Sequence, residues 1–175
     1  MITSRKTIYN GPAFDLEKLE ITTPDGLNIK RDLVHHNPVV AILAQNGATS
    51  ILVNEYRVGT NKEDLSLPAG FINGNEDAIH AACREFTEET GLTLINPKEI
   101  LTLQTSPGMT DEVAHIVVGE FVDNGETQHF DSDEYVNVVK TSEDLMDLIN
   151  NGEITNAISV AAITKREFDE LQRWL

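Results

Sequence analysis

The sequence predicts an α/β fold in which a mixed sheet is covered by helices. Three observations carry this. The chain has 175 residues, close to the size at which one hydrophobic core is complete. Its β-rich apolar runs come in hairpin pairs. Helical segments are interleaved with the later strands, a pattern that places helices against a sheet.

Taken in order, residues 14–23 and 27–34 read as strands joined by the turn Pro24-Asp25-Gly26, where Pro and Gly occupy favourable turn positions. Residues 39–44 and 51–58 form a second, more apolar pair around Gln45-Asn46-Gly47, and Asn-Gly is the strongest short hairpin signal. From about Asn75 to Thr90 the apolar spacing is helical and stops at Gly91, a residue suited to the left-handed position after a helix. Residues 101–105, 113–122 and 135–139 read as further strands, and 142–150 and 155–174 as closing helices. No Pro/Gly/Ser-rich linker divides the chain. The expected division is an N-terminal antiparallel β hairpin or sheet over residues 1–38 and a main domain over 39–175.

Composition excludes several classes. Hydrophobic residues at 40% and charged residues at 24% match ordinary globular usage rather than a disordered or fibrous chain. Thirteen Lys and Arg against 29 Asp and Glu leave a net charge of −16, which opposes attraction to nucleic acid or anionic lipid. Nucleic-acid and membrane partners are therefore not expected. The single cysteine, Cys83, cannot form an intrachain disulfide, and no Cys/His zinc spacing is present. The first ten residues lack the apolar core of a secretory signal, and the longest apolar run, 39–44, is far short of the ~20 residues that span a bilayer. A cytoplasmic protein is expected.

The chemistry concentrates between Gly70 and Leu92, GFINGNEDAIHAACREFTEETGL. At about 100° per residue, Glu85, Glu88 and Glu89 fall on one helical face, and Ile79, Ala82, Cys83 and Phe86 form the apolar stripe beside it. Like charges at i,i+4, such as Glu85 and Glu89, cost an isolated helix about 0.2–0.5 kcal/mol. A bound cation removes that penalty. Hard divalent ions such as Mg²⁺ prefer oxygen donors and complete their shell with water and substrate phosphates, so a diphosphate is the natural substrate. Arg84, at i,i+4 from Glu88, is placed to hold that carboxylate bidentately. A Glu-rich helix face is ordinarily just solvated; the wider spacing decides otherwise.

That spacing resembles the Nudix box, G-x5-E-x7-R-E-U-x-E-E-x-G-U with U apolar, at Gly70, Glu76, Arg84, Glu85, Phe86, Glu88, Glu89, Gly91 and Leu92 without departure. The chance of such a match is on the order of 10⁻¹⁰ per starting position. The resemblance implies an α/β/α sandwich that hydrolyses a nucleoside diphosphate linked to another group, with Mg²⁺ or Mn²⁺ as cofactor. It implies Glu85, Glu89 and the main-chain carbonyl of Ala69 as metal ligands, and Glu88 as a further ligand or base.

Beyond the box the chain is similar to the ADP-ribose pyrophosphatase branch, through Pro107 fifteen residues past Leu92, within Ser106-Pro107-Gly108-Met109-Thr110-Asp111-Glu112, and through Gly152-Glu153-Ile154-Thr155. This implies substrate contacts from Pro107, Gly108, Met109 and Glu112, from Arg57 beside the diphosphate and from Arg31 of a partner subunit. Guanidinium suits both phosphate and adenine. The late loop Asp131-Ser132-Asp133-Glu134 supplies the candidate general base, with Glu134 first choice. Ser66 and Ser132 depart from the branch: Ser66 stands where many members have Glu, and Ser132 where some have the catalytic Glu. The implied protein is a homodimer splitting ADP-ribose into AMP and ribose 5-phosphate. Alternatives are another nucleoside diphosphate sugar or dinucleotide (GDP-mannose, NADH, diadenosine polyphosphate), or a non-catalytic ADP-ribose sensor, against which the complete acid set speaks. The histidines show no ligand spacing, and Cys83 reads as packing.

Overall fold

In the computed structural model, which describes residues 1–124 and 136–173, the predicted first hairpin gains a third strand. Strands β1 (Ile2–Asn10), β2 (Phe14–Thr22) and β3 (Asn28–His36) form an antiparallel sheet in that order. Nine consecutive pairs, from Phe14↔His36 to Thr22↔Asn28, join β2 to β3. Gly26 takes φ 85° in the turn between them, a conformation that glycine adopts without penalty. β1 escaped the sequence reading because its residues are exposed throughout, so no apolar alternation marks it.

The main sheet has seven strands in the order β10-β5-β4-β9-β8, with β6 added to β5 and β7 to β4. Its members are β4 (Val39–Asn46), β5 (Thr49–Arg57), β6 (Lys62–Ser66), β7 (Ala69–Phe71), β8 (Thr93–Gln104), β9 (Val113–Val122) and β10 (Val136–Thr141). β4 and β9 run parallel and the remaining pairs antiparallel, which makes the sheet mixed, as predicted. The β4–β5 turn is Gly47-Ala48, one residue later than Asn46-Gly47: Asn46 pairs with Thr49, and Gly47 has the positive φ of 60° that a primed two-residue turn requires.

β4 and β5 pair only next to this turn, at Gln45↔Ser50 and Asn46↔Thr49. Farther along, β4 pairs with β7 through Val39↔Phe71 to Ala41↔Ala69, and β5 with β6 through Val53↔Ser66 to Arg57↔Lys62. The sheet thus splits, and the Leu67-Pro68 link between β6 and β7 carries the backbone across the opening. This split fixes the strand that faces the acidic helix.

Helix α1 (Ala78–Thr90) starts three residues later than the predicted Asn75 because Asp77 caps it, its side chain accepting from the His80 N–H at 2.9 Å. It ends where predicted, with Gly91 at φ 67° donating to the Thr87 carbonyl. α2 (Leu145–Asn150) and α3 (Ala157–Gln172) begin behind Asp144 and Asn156 caps. Ala81, Ala82 and Phe86 of α1 pack on Val40, Ile42, Ala44, Ile51 and Val117, with Cys83 and Ile79 at the margin. Leu145, Leu148, Ala162 and Ile163 of α2 and α3 pack on Ala41, Leu43, Leu52 and Ile116. Neighbouring residues of β4 therefore serve opposite cores, and the architecture is an α/β/α sandwich. No helix among the described residues is long and apolar enough to cross a membrane.

Candidate active site

The acids of α1 are organised by one guanidinium, and all five N–H donors of Arg84 are engaged. Nε and Nη2 form a fork on Glu76, at 3.1 Å to Oε1 and 2.8 Å to Oε2. Nη1 donates to Glu85 Oε1 at 2.7 Å and Glu88 Oε2 at 3.0 Å, and Nη2 also reaches the Phe71 carbonyl at 2.9 Å. The bidentate partner is therefore Glu76, not Glu88 as the helical spacing suggested. Glu76 lies in the turn ahead of α1, where its carboxylate also accepts from the Asn73 N–H, so helical periodicity says nothing of it. The guanidinium holds the Glu76 carboxyl below the usual carboxylate range, while the carboxylates raise Arg84 further above its ordinary value.

Glu85 and Glu89 face strand β7. A Cβ at Gly70 would overlap the Glu85 carboxylate, so only glycine lets that acid lie against the strand. Glu89, buried at 8% exposure, accepts from the Ala69 N–H at 3.2 Å. The two like charges one turn apart thus have separate partners, which offsets their repulsion. The donor chemistry suits a hard divalent cation: carboxylate and main-chain oxygens are offered, and Glu85 and Glu89 face the strand that carries Ala69. As the side chains stand, no three His, Cys, Asp or Glu among the described residues form a metal-holding group; Glu85 and Glu88 are on Arg84, and Glu89 is on Ala69.

The NUDIX domain family matches residues 35–161. The chain belongs to the Nudix family. Bacillus subtilis ADP-ribose pyrophosphatase is 31% identical over 170 residues, covering 95% of this chain and 92% of that protein. Methanol dehydrogenase activator of Bacillus methanolicus is 29% identical over 166 residues (93% and 90% coverage), and the ADP-ribose pyrophosphatase of Mycobacterium tuberculosis 28% over 165 (91% and 79%). A crystal structure described as an ADP compounds hydrolase superposes with a TM-score of 0.85 at 25% identity, over 98% of this chain and 95% of that one.

The other residues that the Nudix resemblance singled out are placed unevenly. Pro107, Gly108, Met109 and Glu112 belong to the β8–β9 loop, which docks on the end of β3: the Val34 N–H donates to the Met109 carbonyl at 2.9 Å, and the Asp111 N–H to the Val34 carbonyl at 3.3 Å. His36 lies between this loop and the strand that Arg84 of α1 holds. Its Nδ1 is 3.2 Å from Glu112 Oε1, its ring centroid is 5.3 Å from that of Phe71, and the Phe71 carbonyl is the one Arg84 holds. Arg57 closes β5 and pairs with Glu55 at 2.9 Å. Arg31 is on the three-stranded sheet, its Nη1 donating to the Lys30 carbonyl, and not on the sheet that carries β7 and α1. Asp131, Ser132, Asp133 and Glu134 lie outside the described residues, as does His129.

His35, His80 and His115 also pair with carboxylates, those of Asp111, Asp77 and Glu99 respectively. Sequence reasoning named none of these partners. Cys83 packs as predicted, and burial pushes its thiol up, away from the thiolate that a reactive cysteine needs. Ser66 is buried at 2% exposure, and its hydroxyl has no hydrogen-bond partner among the described residues.

Proposed function

We propose that this Nudix protein hydrolyses the diphosphate of ADP-ribose to AMP and ribose 5-phosphate. The observation that carries the reading is the arrangement of the α1 acids on β7: Arg84 holds Glu85 against a glycine that its carboxylate requires, and Glu89 accepts from the Ala69 N–H. The relatives named ADP-ribose pyrophosphatase, those of Bacillus subtilis and Mycobacterium tuberculosis among them, matched over nine-tenths of this chain or more, supply the substrate class.

Glu85, Glu89 and the Ala69 carbonyl would hold Mg²⁺ or Mn²⁺. When bound, the ion supplies Lewis-acid stabilisation of charge on the diphosphate and lowers the pKa of a coordinated water. Arg84 acts through the acids rather than on the substrate: its five hydrogen bonds fix Glu85 and Glu88 relative to β7. Glu88, at 42% side-chain exposure the most open acid on Arg84, is available as a further ligand or as a base, and Glu134 is the other candidate base. Pro107, Gly108, Met109 and Glu112 border the substrate, and Arg57 binds phosphate oxygens with its guanidinium. With eight basic against 24 acidic residues over 37–175, the main part of the chain repels an anion, and cations at the site counter this.

We also place the protein in the cytoplasm as a homodimer, with residues 1–38 as the dimerising extension and 39–175 as the hydrolase domain. Ile2, Ile8, Tyr9 and Phe14 are exposed on the N-terminal sheet, and a neighbouring subunit is the natural cover for them. That sheet is also electrically balanced, with five basic and five acidic residues over 1–36. A partner would bring Arg31 to the adenine.

The test is product analysis after incubating the protein and Mg²⁺ with ADP-ribose, NADH, GDP-mannose and diadenosine polyphosphates. AMP and ribose 5-phosphate, chiefly from ADP-ribose, are expected. Preferential turnover of another substrate overturns the sugar assignment, and tight ADP-ribose binding without turnover overturns hydrolysis in favour of a sensor.

A further inference from the structure

The loop between β8 and β9 is compact but thinly packed at its tip. The Met109 and Thr110 N–H groups both donate to the Ser106 carbonyl, at 3.0 and 2.9 Å. The Glu112 N–H donates to the Thr110 hydroxyl at 3.2 Å. Around Gly108, however, there is open space, and Met109 is 60% exposed. Few apolar contacts hold the apex, so its position depends on what ties the loop to the rest of the protein.

Asp111 is the largest side-chain tie. Its Oδ1 accepts from the His36 N–H at 2.9 Å, and its Oδ2 lies 2.6 Å from His35 Nδ1. With the two main-chain bonds at Val34, these contacts span three consecutive residues at the end of β3. One residue later, Glu112 meets the His36 ring, which touches Phe71 and so reaches the acceptor set of Arg84. A loop anchored at Asp111 is thereby indexed to the helix that carries the acids.

We propose that Asp111 is a positioning residue for substrate, holding the Pro107–Met109 apex and the Glu112 carboxylate in a fixed position relative to the α1 acids. The proposal rests on the reading of this loop as part of the substrate site. Asp111 does not touch substrate; it acts through the loop. Without Asp111 the loop keeps the two main-chain bonds at Val34, one of them 3.3 Å long, and the Glu112–His36 contact; the apex is then ordered only as substrate binds, and that ordering cost weakens binding rather than chemistry.

The test uses the full chain with Asp111→Ala and Asp111→Asn. In Asp111→Ala the KM for ADP-ribose should rise about 10- to 100-fold while kcat stays within roughly threefold, the pattern of lost binding without lost chemistry. Asp111→Asn keeps an oxygen for the His36 N–H and should recover most of the KM. Amide hydrogen exchange, which needs no substrate, should quicken at Val34 and at residue 111 in the alanine variant and stay unchanged in α1. Unchanged exchange overturns the anchor whatever the activity. Faster exchange with an unchanged KM, or a loss confined to kcat, overturns the positioning role. If the wild-type chain binds ADP-ribose but does not cleave it, the hydrolase reading fails while the proposal stands or falls on the same change in Kd.

Discussion

The Glu85 carboxylate occupies the space into which a side chain at Gly70 would project. The atoms in conflict are the end of a flexible side chain, so an alanine at 70 need not unfold the protein. It would instead displace Glu85 from β7. Gly70→Ala is therefore expected to keep its Tm within a few degrees and to lose activity about 10- to 100-fold. Mn²⁺ affinity, read by electron paramagnetic resonance, should fall with it. Full activity together with wild-type Mn²⁺ affinity would remove Glu85 from the proposed ligand set.

Arg84→Lys tests the fork on Glu76. A lysine has one ammonium and cannot bond Glu76 bidentately while also reaching Glu85, Glu88 and the Phe71 carbonyl. Removing charged hydrogen bonds of this kind destabilises by about 1–3 kcal/mol, which for a chain of this size lowers Tm by roughly 3–10 °C. The pH dependence has a definite sign. Because Arg84 holds the Glu76 carboxyl below its ordinary value of 4.5, that contribution is present above pH 4.5 and is lost as pH falls through the lowered value. The Tm gap between wild type and Arg84→Lys should narrow on acidification below pH 4.5; a constant gap would assign the effect to packing alone.

What the sequence disclosed follows from how local each feature is. Glu85, Glu88, Glu89 and the stripe of Ala82, Phe86, Cys83 and Ile79 sit on one helix, so 3.6-residue periodicity ordered them before any tertiary contact was known. Gly91 was legible for the same reason. Glu76 was matched by spacing but its partnership was not, since it precedes the Asp77 cap and helical angles do not apply to it. β6 and β7 were not legible, because Pro68 interrupts them and their pairing partners, β5 and β4, are set by the split in the sheet. The His35–Asp111 pair joins residues 76 apart, and a single sequence holds no signal for such a contact.

Glu89→Gln separates the metal role from the structural one. The glutamine carbonyl can still accept from the Ala69 N–H, and its neutrality removes a like charge from Glu85, so Tm should be equal to or above wild type. As a ligand to a hard cation it is far poorer than a carboxylate, and kcat should fall by at least about 100-fold. Isothermal titration with Mg²⁺ should show weakened binding in parallel. Retained kcat would exclude Glu89 from the metal site.

His35 gives the loop anchor a pH dependence that can be read separately. Its hydrogen bond with Asp111 raises its pKa above 6.5, opposed by partial burial and assisted by the charges of Asp111 and of Glu17 and Asp15 on the adjacent strand β2. A raised folded-state pKa means that the stabilisation is fully present below pH 6.5 and is lost as pH rises through the raised value. Asp111, held low by the same contact and by the His36 N–H, stays ionised across that range. His35→Asn removes the titrating group. Wild type should therefore be the more stable of the two at pH 6, with the Tm difference shrinking towards zero by about pH 9, and the KM of wild type should drift towards that of the variant over the same interval. A Tm difference independent of pH would mean that the neutral imidazole anchors Asp111 as well as the charged one.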